Sequence, residues 1–195
     1  MRSEFIEKPL YNRVFEYMQF DNALAMQVAL ETGLRIDDVL SLRLENLIGN
    51  KIECVAKKTG KIACRNIPTH IKKLLIKNSG NGWLFPSPKN KVSHKTRQAV
   101  WKDVRKACEK AGIFQHVTPH SSRKTFAVNL MREHGVTSVQ KALQHDNVET
   151  TMLYAFSDLM SGKRQKSVNF DIDIDTLANI VAEKVFNKIV KYLNV

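Results

Sequence analysis

Two arginines of this chain lie in surroundings that suit phosphate binding. Arg35 follows a Thr-Gly pair that ends one helical apolar pattern, and a second such pattern begins directly after it. Arg123 closes a His-x-x-Arg sequence, so it shares a helix face with His120 near a predicted helix N-terminus, where backbone N–H groups favour anions. Guanidinium groups present planar forks to phosphate oxygens and stay charged at any working pH. Each arginine alone is more typical of a surface residue, so the prediction depends on both together.

A histidine and a tyrosine further along the chain complete a set that could act on a phosphodiester. Tyr154 comes nine residues after His145, and the apolar neighbours Leu153 and Phe156 would anchor its helix while the phenol points away. A phenol with a pKa of about 10 attacks poorly until a base and nearby positive charge assist it. Its attack would form a phosphotyrosine ester that retains the energy of the broken bond. Rejoining the strand would therefore need no ATP.

This order of an arginine, a His-x-x-Arg, a histidine and a tyrosine resembles the active site of the tyrosine recombinases, the phage-integrase family, over residues 20–157. The resemblance implies a mainly α-helical catalytic domain with a small antiparallel β-sheet. It also implies a site-specific recombinase of a mobile element, which cleaves and rejoins DNA through a 3′-phosphotyrosyl intermediate. Tyr154 would be the nucleophile, and the residues implied to stabilise the transition state are Arg35, His120, Arg123 and His145.

No metal or other cofactor is expected. His116 and His120 are four residues apart, but no cysteine pair or carboxylate cluster accompanies them, and metal ligation would compete with the implied role of His120. The two arginines can stabilise the pentavalent phosphorus without a cation.

The family also has a lysine in a β-turn that protonates the leaving 5′ oxygen, commonly just before Thr-Gly. Lys58 matches that position, and its neighbours Lys57 and Lys61 compete for the role. Asp38 matches an acidic position that supports the first arginine in the family, although the doublet with Asp37 leaves the assignment ambiguous.

Two positions depart from the family pattern without removing a reacting group. Gln144 stands where a glycine usually precedes the histidine, and Lys124 follows Arg123 where a histidine is frequent. A larger departure concerns the N-terminus. Most relatives have a separate core-binding domain there, and only about 20 residues precede the catalytic core here. We expect either a minimal recombinase or a fragment.

Positive charge is concentrated in one part of the chain. The 195 residues carry a formal net charge of +12, and residues 51–110 hold 16 Lys or Arg against 3 Asp or Glu, while residues 1–50 hold 5 against 8. Such a distribution favours a polyanion partner over a merely solubilising face. We expect double-stranded DNA with a specific recombination site, and self-assembly into a dimer or tetramer on it. The residues predicted to contact DNA are Lys57, Lys61, Lys95, Arg97 and Lys124.

Apolar periodicity predicts the elements that would position these residues. Alternating residues in 51–56 and 62–67, around a turn with a glycine, predict an antiparallel hairpin. Helical spacing predicts helices at about 10–20, 22–33, 36–45, 68–79, 94–111, 119–133, 137–145 and 149–157.

The composition changes after the candidate nucleophile. We therefore expect a catalytic domain over residues 1–157, and a linker with a C-terminal helix over 158–195. The helix is predicted from an apolar stripe between Leu177 and Leu193. Packing on its own domain and docking onto a neighbouring copy, as known in the family, are both open.

Three cysteines without close pairing favour a reducing compartment, and no apolar run approaches the roughly 18 residues of a membrane span. We expect a cytoplasmic protein associated with the nucleoid when bound.

Two alternatives to a recombinase remain at this point. One is a type IB topoisomerase-like enzyme that relaxes DNA as a monomer, and the other is a non-catalytic DNA-binding regulator derived from an integrase.

Overall fold

The structure, a computed structural model, describes residues 3–90 and 92–143. The helices are α1 (Lys8–Glu16), α2 (Phe20–Thr32), α3 (Ile36–Leu40), α4 (Thr69–Asn78), α5 (Arg97–Lys110) and α6 (Pro119–Leu143). The strands are β1 (Leu47–Ile48), β2 (Lys51–Val55) and β3 (Ile62–Asn66). The predicted fold class, mainly helical with a small antiparallel sheet, is confirmed. The helix predicted at 149–157 lies outside the described residues.

The sheet contains the predicted hairpin and one further strand. Strands β2 and β3 pair antiparallel, and β1 extends the sheet on the far side of β2 to give the order β1-β2-β3. Strand β1 has two residues, too few for alternation to reveal it in the sequence. It turns into β2 at Gly49, whose φ of 59° lies in the left-handed region that glycine adopts without strain.

Helix α3 is shorter than the sequence predicts. The prediction continued it to residue 45, whereas the helix ends at Leu40 and a short 3₁₀ turn covers Leu44–Asn46. The backbone between the two pairs with a distant segment instead, since Leu84 N–H donates to Leu42 O at 2.9 Å and Leu44 N–H donates to Gly82 O at 2.9 Å. These tertiary hydrogen bonds outweigh the local helical pattern.

The main core lies between α2 and the elements around it. Helix α2 buries residues on most of its surface, and α5 contributes an apolar stripe of Val100, Val104, Ala107 and Cys108. Each fully buried Val, Leu, Ile or Met stabilises the fold by roughly 1.5–3 kcal/mol. No helix in the described ranges is long and apolar enough to cross a membrane.

Helix α6 joins two helices that the sequence predicts separately, at 119–133 and 137–145. They meet at Gly135, where φ of 77° and ψ of 173° interrupt the helical geometry. Five buried residues of α6 form a second apolar cluster: Ala127, Val128, Met131, Val139 and Leu143. The cluster spans the interruption, so it fixes the two halves of α6 against each other.

Candidate active site

A cavity of about 720 Å³ brings together three residues that the sequence predicts to act on phosphate: Arg35, His120 and Arg123. Arg35 immediately precedes α3, and the other two belong to the first turns of α6. The remaining lining residues are Ser3, Ile36, Asp37, Arg97, Gln98, Trp101, Lys102, His116, Thr118 and Pro119. One concave site therefore gathers cations that lie almost 90 residues apart in the chain.

Gly33 brings the corner before Arg35 into contact with α6. The predicted end of α2 is confirmed, because Gly33 follows Thr32 with φ of 68° and its N–H donates to Ala29 O. A Cβ atom at Gly33 would lie 2.4 Å from the ring of Phe126, closer than atoms can approach. Glycine is therefore required for both its backbone conformation and the close contact between the two elements.

Arg123 is held by two backbone carbonyls that lie far apart in the sequence. The residue is 5% exposed, and its guanidinium donates to Gly33 O at 2.5 Å and to Leu143 O at 2.9 Å. Both acceptors lie at helix C-terminal ends, where unpaired carbonyls carry partial negative charge. Arg123 thus lines the cavity in a fixed orientation and ties the corner before Arg35 to the end of α6.

His120 lies on the cavity wall among positive charges, with part of its surface exposed. Burial, together with the smaller effects of the positive charges of Arg123, Lys124, Arg35 and Lys58, lowers the pKa of His120 to about 4. The imidazole is consequently neutral near pH 7. A neutral ring can accept a proton, whereas an imidazolium ion could only donate one.

Lys58 lies in the exposed turn between β2 and β3. Ala56 O accepts hydrogen bonds from Thr59 N–H at 3.1 Å and Gly60 N–H at 2.8 Å, which closes the turn. Lys58 does not line the cavity, but its charge acts on His120, so the turn approaches the same site. Lys57 and Lys61 are also exposed on this turn.

Asp38 anchors that turn. The residue is 3% exposed, and its Oδ1 accepts a hydrogen bond from Lys57 N–H at 3.0 Å. Among the described residues, Oδ2 has no hydrogen-bond partner, and Asp38 makes no hydrogen bond to Arg35. The acidic position therefore supports the lysine turn directly, which differs from the support of Arg35 that the resemblance implied.

The residues predicted to contact DNA occupy contrasting environments. Arg97 is exposed, lines the cavity and pairs with Asp37 at 3.3 Å, and the Lys124 ammonium donates to Ser3 O at 2.6 Å. The prediction for Lys95 is wrong. Lys95 is 4% exposed, and its ammonium contacts the carboxylate of Asp21 and donates to Asn22 Oδ1 at 2.8 Å.

Helix α5 contributes four residues to the cavity, and only Arg97 among them was predicted, as a DNA contact. Arg97, Gln98, Trp101 and Lys102 line the cavity, and the Trp101 side chain is 45% exposed. Helical spacing of these polar and aromatic residues was the available signal. Beside them, His116 Nδ1 lies 3.3 Å from Arg105 Nη1 as a hydrogen-bond partner.

His145 and Tyr154 lie outside the described residues. The chain approaches them from the end of α6, where the carbonyls of Ala142 and Leu143 accept hydrogen bonds from Arg65 and Arg123 respectively. The described part of the predicted site is thus Arg35, Lys58, His120 and Arg123, together with Asp38.

Comparison with known proteins identifies the class to which this fold and site belong. The model of the phage integrase family matches residues 6–159, which is well over half of the chain. The chain belongs to the phage integrase family.

Its relatives include tyrosine recombinases. Tyrosine recombinase XerD of Bifidobacterium longum is 29% identical over 160 residues, which cover 75% of this chain and 50% of the relative. Tyrosine recombinase XerD of Staphylococcus saprophyticus is 31% identical over 145 residues, which cover 66% of this chain and 48% of the relative. The chain spans about half the length of the curated relatives it matches.

Solved structures share the fold. A lambda integrase dimer bound to a COC′ core site matches with a TM-score of 0.69 at 18% identity, covering 87% of this chain and 51% of that one. The catalytic domain of bacteriophage HP1 integrase matches with a TM-score of 0.60 at 22% identity, covering 80% of this chain and 89% of that one. The architecture is therefore that of a tyrosine recombinase catalytic domain.

Proposed function

We propose that this chain is the catalytic domain of a site-specific DNA recombinase, which cleaves and rejoins strands through a 3′-phosphotyrosyl intermediate. The observation that carries the proposal is the shared cavity of Arg35, His120 and Arg123, with the charge of Lys58 acting on the same histidine. Two guanidinium groups, of which that of Arg123 is fixed by backbone carbonyls, and a neutral imidazole beside a cationic turn suit a phosphodiester whose negative charge grows in the transition state.

The reaction follows from the chemistry of these groups. The Tyr154 oxygen forms a bond to phosphorus while the bond from phosphorus to the 5′ oxygen breaks. Arg35 and Arg123 stabilise the nonbridging oxygens, neutral His120 accepts the phenol proton, and Lys58 donates a proton to the departing oxygen. His145 assists in stabilising the transition state. Attack by the 5′ hydroxyl of a partner strand then reverses the step and releases the tyrosine.

The extent of the structural matches supports the assignment to a catalytic domain. The chain covers 89% of the isolated HP1 catalytic domain but only 51% of the DNA-bound lambda integrase. We assign residues 1–157 to this domain, with residues 158–195 as a linker and C-terminal helix. The likeness to the lambda integrase dimer on its core site, together with the basic segment 51–110, favours double-stranded DNA as the partner and assembly as a dimer or tetramer.

The C-terminal segment is proposed to dock onto a neighbouring protomer. A polar stretch separates its apolar stripe from Tyr154, which gives it the reach to leave its own domain. Removing residues 171–195 should then spare cleavage at a single bound site and weaken assembly on two sites, measured by gel mobility and sedimentation. Loss of cleavage by the monomer would instead show docking in cis. We place the protein's action in the cytoplasm, on chromosomal or element DNA.

A covalent-adduct assay tests the proposed function. Duplexes enriched by binding from a random library supply the site, and nicked versions trap the cleaved state because the fragment after the nick diffuses away. The wild-type chain should form a denaturant-resistant adduct with the 3′ end, while Tyr154→Phe should bind but form none. The matched control is Tyr17→Phe, which changes an exposed tyrosine outside the cavity and should behave as wild type.

The same assay separates the alternatives. A type IB topoisomerase-like enzyme would form the adduct and relax supercoiled plasmids that lack the selected site. A regulator would bind the selected site without any adduct from the wild-type chain. Adduct formation confined to the selected site, with strand exchange between two such duplexes, identifies a recombinase.

A further inference from the structure

Arg65 joins the lysine hairpin to the far end of α6. It lies on β3, half-buried, and its guanidinium donates to Cys64 O at 2.8 Å and to the carbonyl of Ala142, 77 residues further along the chain. Ala142 is in the last turn of α6. Carbonyls there have no partner within the helix and form the negative end of its dipole, so an arginine is well suited to the position.

The end of α6 is held from two sides. Arg65 bonds to the carbonyl of Ala142, and Arg123 donates to the next one, Leu143 O, at 2.9 Å. Gln144 and His145 are the next residues in the sequence. The two arginines therefore set the point from which the chain continues toward a predicted catalytic histidine.

The same side chain is rigidly linked to the turn that carries Lys58. Strands β2 and β3 pair along their whole length, with Ile52 opposite Arg65, and Ala56 N–H donates to Lys61 O at 3.0 Å across the base of the turn. A displacement of β3 relative to α6 would thus move the turn and its lysine together.

We propose that Arg65 is a positioning residue for strand cleavage, which holds the end of α6, and hence the approach to His145, in register with the Lys58 hairpin. The inference rests on the proposed function, because a positioning role matters only if the site cleaves DNA. It assigns no contact with DNA to Arg65. Its two terminal guanidinium nitrogens instead donate to protein carbonyls. Burial lowers the pKa of Arg65, which shows that its charge is partly removed from water, as is expected for a structural clamp and unusual for a phosphate contact at the surface.

The chain offers a matched control in Arg13. This arginine lies on α1 and donates to Ala111 O at 2.6 Å, at the C-terminal end of α5, so it makes the same kind of contact away from the cavity. Arg13→Ala should weaken the fold about as much as Arg65→Ala does. Comparing the two separates positioning from general destabilisation.

The test combines single-turnover cleavage of the nicked duplex at saturating protein with amide hydrogen exchange. Arg65→Ala should slow cleavage by roughly 10-fold to 10²-fold, because a misplacement of about 1 Å can cost 10²-fold. Arg65→Lys, which keeps the charge, should recover part of the rate. In the His145→Ala background, Arg65→Ala should add little further slowing. Exchange over residues 137–143 should be faster in Arg65→Ala than in Arg13→Ala.

Four results would overturn the inference. The first three are an unchanged cleavage rate in Arg65→Ala, equal slowing by Arg13→Ala, and full multiplicative slowing in the His145→Ala background. The fourth is recovery of the Arg65→Ala rate at a higher protein concentration, because Arg65 would then act on DNA affinity. A wild-type chain that forms no adduct contradicts the proposed function instead. In that case unchanged exchange in Arg65→Ala would separately refute the clamp.

Discussion

The two regions that supply cations to the candidate site, the first turns of α6 and the β2–β3 turn, are held in opposite ways. In the first turns of α6, Arg123 is buried and bonded to two backbone carbonyls. In the hairpin turn, Lys57 and Lys58 are exposed, and Lys57 N–H donates a hydrogen bond to Asp38 Oδ1, which anchors the turn. Fixed guanidinium groups suit nonbridging oxygens, which stay in place during the reaction, because preorganised charge needs no rearrangement. A flexible lysine suits an oxygen that departs and must be followed.

Removing the lysine is the strongest test of this contrast within the described site. Lys58→Ala should slow cleavage by roughly 10²–10⁴-fold, because the leaving alkoxide loses its proton donor. Replacing the bridging 5′ oxygen with sulfur should restore the rate, since a thiolate leaves without a proton. The melting temperature should not change, as Lys58 is exposed. If sulfur restores Lys57→Ala or Lys61→Ala instead, the acid is that neighbour.

Arg123→Lys tests the fixed region. One ammonium cannot reach both Gly33 O and Leu143 O in the geometry of a guanidinium fork, so a buried carbonyl loses its partner, at a cost of roughly 1–3 kcal/mol. Cleavage should fall by roughly 10²–10³-fold through lost transition-state stabilisation. Unlike Lys58→Ala, Arg123→Lys should have a lower melting temperature, and its cleavage rate should not recover on the substrate with sulfur at the bridging 5′ position. Rescue by sulfur, or an unchanged melting curve, would remove the distinction between the regions.

A smaller effect on cleavage is expected from changing Asp38, which anchors the lysine turn. Asp38→Ala removes the acceptor for Lys57 N–H, so the turn loses its anchor while every reacting group remains. Cleavage should fall by about 10-fold, by analogy with other lost supporting contacts, and sulfur should restore part of it. Asp38→Asn keeps an acceptor oxygen and should retain most of the rate. Asp37→Ala, which breaks only an exposed pair with Arg97, should affect the oxygen and sulfur substrates equally.

The sequence predicts the features that depend on neighbouring residues better than those that depend on contacts between distant segments. The end of α2 at Gly33 and the β2–β3 hairpin depend on neighbouring residues, and both were predicted. The cavity that unites Arg35 with His120 was predicted only through the family resemblance, because nothing local brings two distant segments together.

Long-range partners explain the contacts that the sequence did not predict. Lys95 is buried because Asp21 and Asn22, over 70 residues earlier, neutralise and bond its ammonium. Asp38 bonds to a backbone N–H 19 residues away, which no side-chain pattern signals. The bonds of Arg123 to Gly33 and Leu143 span 90 and 20 residues, so its clamping role was likewise invisible in the sequence.

The smallest expected effect is on the pKa of His120, which reports how closely the lysine turn approaches the first turns of α6. Burial and nearby cations place the pKa of His120 at about 4, below its ordinary 6.5, so the unfolded chain binds a proton between these values that the folded chain does not. Stability should therefore fall as the pH drops from about 6.5 to 4, and His120→Asn should flatten that dependence.

Lys58→Ala removes one repelling charge, so the pKa of His120, followed by NMR of its ring protons, should rise toward 6.5. Lys51→Ala, at the opposite end of β2, should leave it unchanged. Equal shifts in both variants would mean that His120 senses net charge alone, and that the turn has no particular proximity to the site.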